Sequence, residues 1–136
     1  MTLIDLAPNT THYFKVESAD SSGNSSLGTE TSFITSSLPP DTTPPLISLV
    51  SVAPASTTAQ VTWTTNEAAN SKVYYGTTTP LVLGSASTAS DGAFLTSHSL
   101  NLTGLTASTT HYMVVESKDA ANNTATSSET SFNTGN

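Results

Sequence analysis

Cysteine is absent from the 136 residues, and so is arginine. Without cysteine there is no disulfide and no thiolate metal site, whatever the compartment. Three lysines stand against ten acidic residues, giving a net charge of -7. Such a chain has no basic surface to follow a phosphate backbone, so nucleic acid is excluded as a partner. Only 10% of residues are charged, against about 25% in ordinary soluble domains. No run approaches the roughly 18 apolar residues of a membrane span. No apolar signal-peptide core follows Met1, so an export signal is expected outside these residues. There is no Gly-x-Ser-x-Gly element to present a nucleophile on a strained turn. The lack of arginine also removes any Arg-Gly-Asp adhesion signal.

What is abundant is Ser and Thr, at 48 of the 136 positions. The apolar residues are few, at 35% with aromatics and alanine included, but they are ordered. Residues 3–35 repeat in residues 102–134, without a gap, at a spacing of 99, with 16 identities. Leu3-Ile4-Asp5-Leu6 answers Leu102-Thr103-Gly104-Leu105, and Thr10-Thr11-His12-Tyr13 answers Thr109-Thr110-His111-Tyr112. Asp20, Asn24 and Glu30-Thr31-Ser32-Phe33 return as Asp119, Asn123 and Glu129-Thr130-Ser131-Phe132. A repeat of this length defines one supersecondary unit or one domain. The expected organisation is a partial unit over 1–36, a proline-rich linker over 37–45 and a complete unit over 46–136. Pro39, Pro40, Pro44 and Pro45 make the linker extended and semi-rigid.

No stretch shows a 3.6-residue apolar period, whereas period-two alternation is frequent. Ile47, Leu49 and Val52 suggest a first strand in the complete unit. Ala59, Val61 and Trp63 alternate with polar residues in a second. Val73 and Tyr75 alternate with Lys72 and Tyr74 in a third, which Gly76 ends. Residues 77–95 read as loop plus one short edge strand. His98, Leu100 and Leu102 form the next strand. In the partial unit Lys15 and Glu17 must face water, so His12, Phe14, Val16 and Ser18 face inward. By the repeat, His111, Met113, Val115 and Ser117 face inward too. Asp20–Asn24 and Asp119–Asn123 are turns, followed by last strands that run to Phe33 and Phe132. Seven short strands with regular turn signals indicate an antiparallel sandwich.

These residues resemble a fibronectin type III domain of the kind found in tandem arrays of microbial surface and secreted proteins. The resemblance is carried by Asp41-Thr42-Thr43-Pro44-Pro45, Trp63, Tyr75-Gly76, Leu102-Thr103-Gly104-Leu105 with the strand entry Thr109-Thr110-His111, and the Asp119–Asn123 turn. It covers nearly all of 41–134, and residues 3–35 look like the last two strands of a second copy. It implies an all-β, immunoglobulin-like fold, with strands A, B and E against C, C′, F and G. The family usually has a corner tyrosine where this chain has His111, and His12 in the partial unit. A neutral imidazole donates the same kind of hydrogen bond to a backbone carbonyl. The alternative gives the corner to Tyr112 and Tyr13 by a one-residue shift.

His12, His98 and His111 are the candidate bases or nitrogen ligands, and each reads better as a structural hydrogen-bonding residue. The paired Asp and Asn of each turn offer too few oxygens for the six to eight of a calcium site. No catalytic residue, metal site or cofactor is therefore expected, and the chain reads as a non-enzyme. Tyr74 and Tyr112 are outward neighbours if their strands pair, and form either a sheet-strengthening pair or a platform for a glycan or protein. Asn24 and Asn122 are accessible N-glycan acceptor sites at turns, among four such patterns that include Asn9 and Asn101.

The partial unit poses a burial problem. Two strands cannot cover Leu3, Leu6, Phe14, Val16 and Phe33 by themselves. Burial of each such side chain is worth about 1.5–3 kcal/mol. Either neighbouring repeats cover that face, or another copy of the chain does, by strand addition or exchange into a head-to-tail fibre. The expected function is a structural module of an extracellular or cell-surface tandem-repeat protein, acting as spacer or self-assembling fibre subunit. The alternatives are a carbohydrate- or protein-binding module in adhesion, and an accessory domain of a secreted hydrolase.

Overall fold

The computed structural model describes residues 2–136; Met1 lies outside the described residues. The chain divides into two compact units, Met1–Pro40 and Asp41–Asn136. Every described element is a β-strand, so no helix is present to cross a membrane.

The first unit holds β1 (Thr11–Phe14), β2 (Glu17–Ala19), β3 (Ser25–Leu27) and β4 (Thr31–Ile34). β1 pairs antiparallel with β4, and β2 with β3. Leu6, His12 and Phe33 are half-buried, whereas Leu3, Phe14 and Val16 are exposed.

The second unit holds β5 (Ile47–Pro54), β6 (Thr58–Gly76), β7 (Ser87–Thr103), β8 (Thr110–Lys118), β9 (Thr124–Thr126) and β10 (Thr130–Asn133). β6 and β7 are long because each serves both layers. The first part of β6 lies between β5 and residues 97–103 of β7. Its second part lies between β8 and residues 87–91 of β7. Register shifts between Thr64 and Ser71 mark where the two-stranded ribbon turns from one layer to the other. The result is an immunoglobulin-like sandwich in which the order β10-β8-β6-β5 runs through a single hydrogen-bonded path.

The period-two pattern explains the interior. Ala59, Val61, Trp63 and Thr65 form one inward row on β6, and Ala69, Ser71 and Val73 form a second beyond Glu67, which is only half-buried. Met113, Val115, Leu102, Leu105 and Phe132 close over it. The Trp63 indole N–H donates to the buried Ser117 hydroxyl at 2.9 Å. This satisfies the one polar atom of the largest buried side chain.

The structure departs from the sequence expectation at three places. Leu49 does not face the core: a bulge between Ser48 and Ser51 puts it at φ 53° and 80% exposed. Val50 takes its place against the core. The short edge strand expected within residues 77–95 is longer than expected: it runs from residue 87 through 95 as the first part of β7, where residues 87–89 pair with Tyr75, Tyr74 and Val73 of β6. The second half of the expected linker belongs to the second unit, where Pro45 is buried and Asn123 Nδ2 donates to the Asp41 carbonyl at 3.3 Å.

Candidate functional site

The two units carry the same local skeleton 99 residues apart. His12 lies opposite Phe33, and His111 opposite Phe132. Each imidazole stacks on its phenyl ring, at 5.7 and 5.5 Å between centroids. His12 Nε2 reaches the Ala7 carbonyl and His111 Nε2 the Thr106 carbonyl, both at 3.3 Å. Thr35 and Thr134 donate their hydroxyls to those same carbonyls. Left-handed backbone recurs at Asp5 and Gly104, at Asn9 and Ser108, and at Gly23 and Asn122. In each turn the Asp carboxylate accepts from the backbone and side-chain nitrogens of an Asn four residues on.

The packing around that skeleton differs. Leu102, Met113 and Val115 are at most 1% exposed, whereas their equivalents Leu3, Phe14 and Val16 are 49%, 38% and 59% exposed. Leu3, Phe14 and Val16 line a shallow groove with Lys15 and Glu17 at its side. Leu6 and Phe33 are half-buried, so the five residues expected to form one apolar face do not share one exposure. Leu3, Phe14 and Val16 thus form an exposed apolar face of the first unit.

Tyr74 and Tyr112 are not directly opposite. Tyr74 faces Val114, and Tyr112 faces Gly76, which makes the two tyrosines diagonal neighbours. The Lys72 ammonium sits 4.3 Å from the Tyr74 ring centroid and 2.7 Å from its hydroxyl. That hydroxyl donates to Glu116 at 3.1 Å. The hydrogen bond to Tyr74 raises the Lys72 pKa, with burial opposing it. One face of Tyr74 is thus occupied by a cation rather than free for a sugar ring.

His98 is buried and stacked on Trp63 at 4.9 Å. Its Nδ1 meets Ser71 Oγ at 2.7 Å and its Nε2 meets Thr65 Oγ1 at 2.9 Å. Thr65 gives its only hydroxyl proton to the Glu67 carbonyl at 2.6 Å. It therefore accepts from Nε2–H, and Ser71 donates to Nδ1 when the ring is in the neutral form that burial favours. Burial lowers the His98 pKa below 6.5. Ser71 and Thr65 are buried with the ring, so neither hydroxyl faces solvent.

One group went unseen in the sequence. Asp41, Glu67 and Asp119 bring carboxylate oxygens within 4.8 Å of one another. They lie far apart along the chain, and the bend of β6 brings Glu67 to the other two. Burial pushes the Asp119 pKa up, but hydrogen bonds from Asn123, Ala121 and Asn122 outweigh it and leave the pKa lowered. Burial, then Asp41 and Asp119, raise the Glu67 pKa. Three such oxygens fall short of a calcium shell. At the turns, Asn24 and Asn122 are both exposed, and Asn24 also donates its side-chain nitrogen to Asp20.

These features define a β-sandwich of the fibronectin type III kind. The chain superposes on the crystal structure of the chicken CNTN1 FN1-FN3 domains with a TM-score of 0.54 at 20% identity. The match covers 97% of this chain and 45% of that one, so the chain spans less than half its length. No curated protein matches. Residues 44–134 match the family model described as the purple acid phosphatase, N-terminal domain. The chain belongs to that family, which shares the fibronectin type III-like fold.

Proposed function

We propose that the chain is a non-catalytic structural module of an extracellular or cell-surface tandem-repeat protein, in which such sandwiches follow one another as spacers or fibre subunits. The observation that carries this reading is the recurrence, 99 residues apart, of strand register, corner histidine, left-handed residues and Asp–Asn turn. A net charge of -7 without arginine keeps such an array soluble and away from polyanions. Concatenating two, three and four copies of residues 38–136 tests it. Small-angle scattering should give a longest dimension that grows in equal steps with copy number. Compact particles of constant shape would overturn the reading.

The family match favours a second reading, an accessory domain of a secreted hydrolase. On that reading the chain, added to a purple acid phosphatase catalytic domain stripped of its own N-terminal domain, alters stability or turnover. On the spacer reading it changes neither.

A further inference from the structure

We propose that the bare face of the first unit is the seat for the leading half of another repeat unit, equivalent to β5, β6 and β7, joined in the same polypeptide ahead of Leu3. The inference rests on the tandem-array reading and names what covers this face. The second unit contains the template. There, residues 112–116 of β8 pair with residues 72–76 of β6. The equivalent stretch 13–17 in the first unit has no such neighbour among the described residues and breaks into β1 and β2 at Lys15 and Val16. In the second unit Met113 and Val115 are buried in one cluster with Trp63, Val61 and Val73, the last of which is the ladder partner of Val115. Phe14 and Val16 present the same positions uncovered.

The corner supplies the direction of attachment. Residues 103–109 exist to turn the end of β7 into β8. Residues 4–10 keep that turn, with its left-handed positions at Asp5 and Asn9, and His12 and Thr35 hold its Ala7 carbonyl as His111 and Thr134 hold that of Thr106. Leu3 holds the place of Leu102, which belongs to β7 and is fully buried. The first unit is thus already shaped to continue backwards into a strand equivalent to β7. A second copy is a poor source. It would lend its leading half only by uncovering its own Met113, Val115 and Phe132, so the exchange gains no buried surface.

The test places residues 41–101 directly ahead of residues 3–136 and compares this chimera with the 136-residue chain. Phe14 is bulkier than its counterpart Met113, so a Phe14→Met chimera is run alongside. Hydrogen exchange should slow at residues 13–17 and 31–34 by on the order of a hundredfold or more in at least one chimera. A second cooperative unfolding transition should accompany it. Unchanged exchange there in both chimeras, with residues 41–136 still protected, overturns the proposal. So does an unextended chain that associates and protects those amides by itself, since a second copy is then the cover. Neither result touches the scattering test of the array reading, so the two fail separately.

Discussion

The same strand pair occurs twice in this chain, once covered and once bare. Residues 102–134 and 3–35 share register, corner and turn, yet β8 runs unbroken over Thr110–Lys118 while its counterpart splits into two short strands. Local hydrogen bonds therefore specify the corner and the turns. Continuity of the strand needs the neighbour that β6 provides. The comparison separates what thirty residues encode alone from what the sandwich adds, because an isolated hairpin has too little apolar contact to hold its shape in water.

Substitution at equivalent positions should break the symmetry most sharply in the core. Phe132→Ala is expected to cost the second unit about 3–5 kcal/mol, because a buried aromatic leaves a cavity. Phe33→Ala should leave the main thermal transition where it is. Calorimetry of the two variants checks both. A common loss would mean that the first unit is already part of the cooperative fold.

The turns should show a smaller contrast. Asp119→Ala removes several hydrogen bonds from a carboxylate that is only 3% exposed, at a cost of about 1–3 kcal/mol. Asp20→Ala makes the same chemical change in a fully exposed turn and should not move the midpoint of denaturant unfolding.

Acidification adds a contrast confined to the second unit. The folded pKa of His98 lies below 6.5. The unfolded chain therefore takes up a proton first as pH falls. Stability is fully present above pH 6.5 and declines from there towards the folded pKa. Glu67, whose pKa is raised by burial and by Asp41 and Asp119, contributes with the opposite sign. A Glu67→Gln background removes that opposing contribution. Thermal midpoints in that background should fall between pH 7 and pH 5, and a flat profile would contradict the neutral, doubly bonded ring.

The smallest effect concerns the left-handed turn residue, Gly23 in one copy and Asn122 in the other, at φ 87° and 73°. Asn122→Gly should change stability by no more than about 1 kcal/mol, since both residues tolerate this backbone region. A larger loss would show that the asparagine side chain carries a contact.

Much of this architecture was legible because inward residues recur every second position at Ala59, Val61 and Trp63 and again at Val73 and Tyr75, and because two copies constrain one another. Lys15 and Glu17 of the exposed copy fixed which face of the apolar stretch Met113–Val115 points inward. The bulge at Leu49 escaped, because one extra residue shifts register without changing composition. The single long β7 escaped because Ser- and Thr-rich strands look like loops until a partner is known. The gathering of Asp41, Glu67 and Asp119 was invisible for a different reason. It depends on where the bend in β6 falls, and no local pattern announces that.

That bend has a mechanical meaning. In a sandwich whose layers touch only through side chains, sliding one layer over the other costs packing alone. Here the β6–β7 ribbon passes from one layer into the other as continuous backbone, paired on both sides of the corner. Shear between the layers must strain covalent chain and peel a ladder of amide pairs, so a pulled thread of such units should resist extension until a whole unit gives way at once.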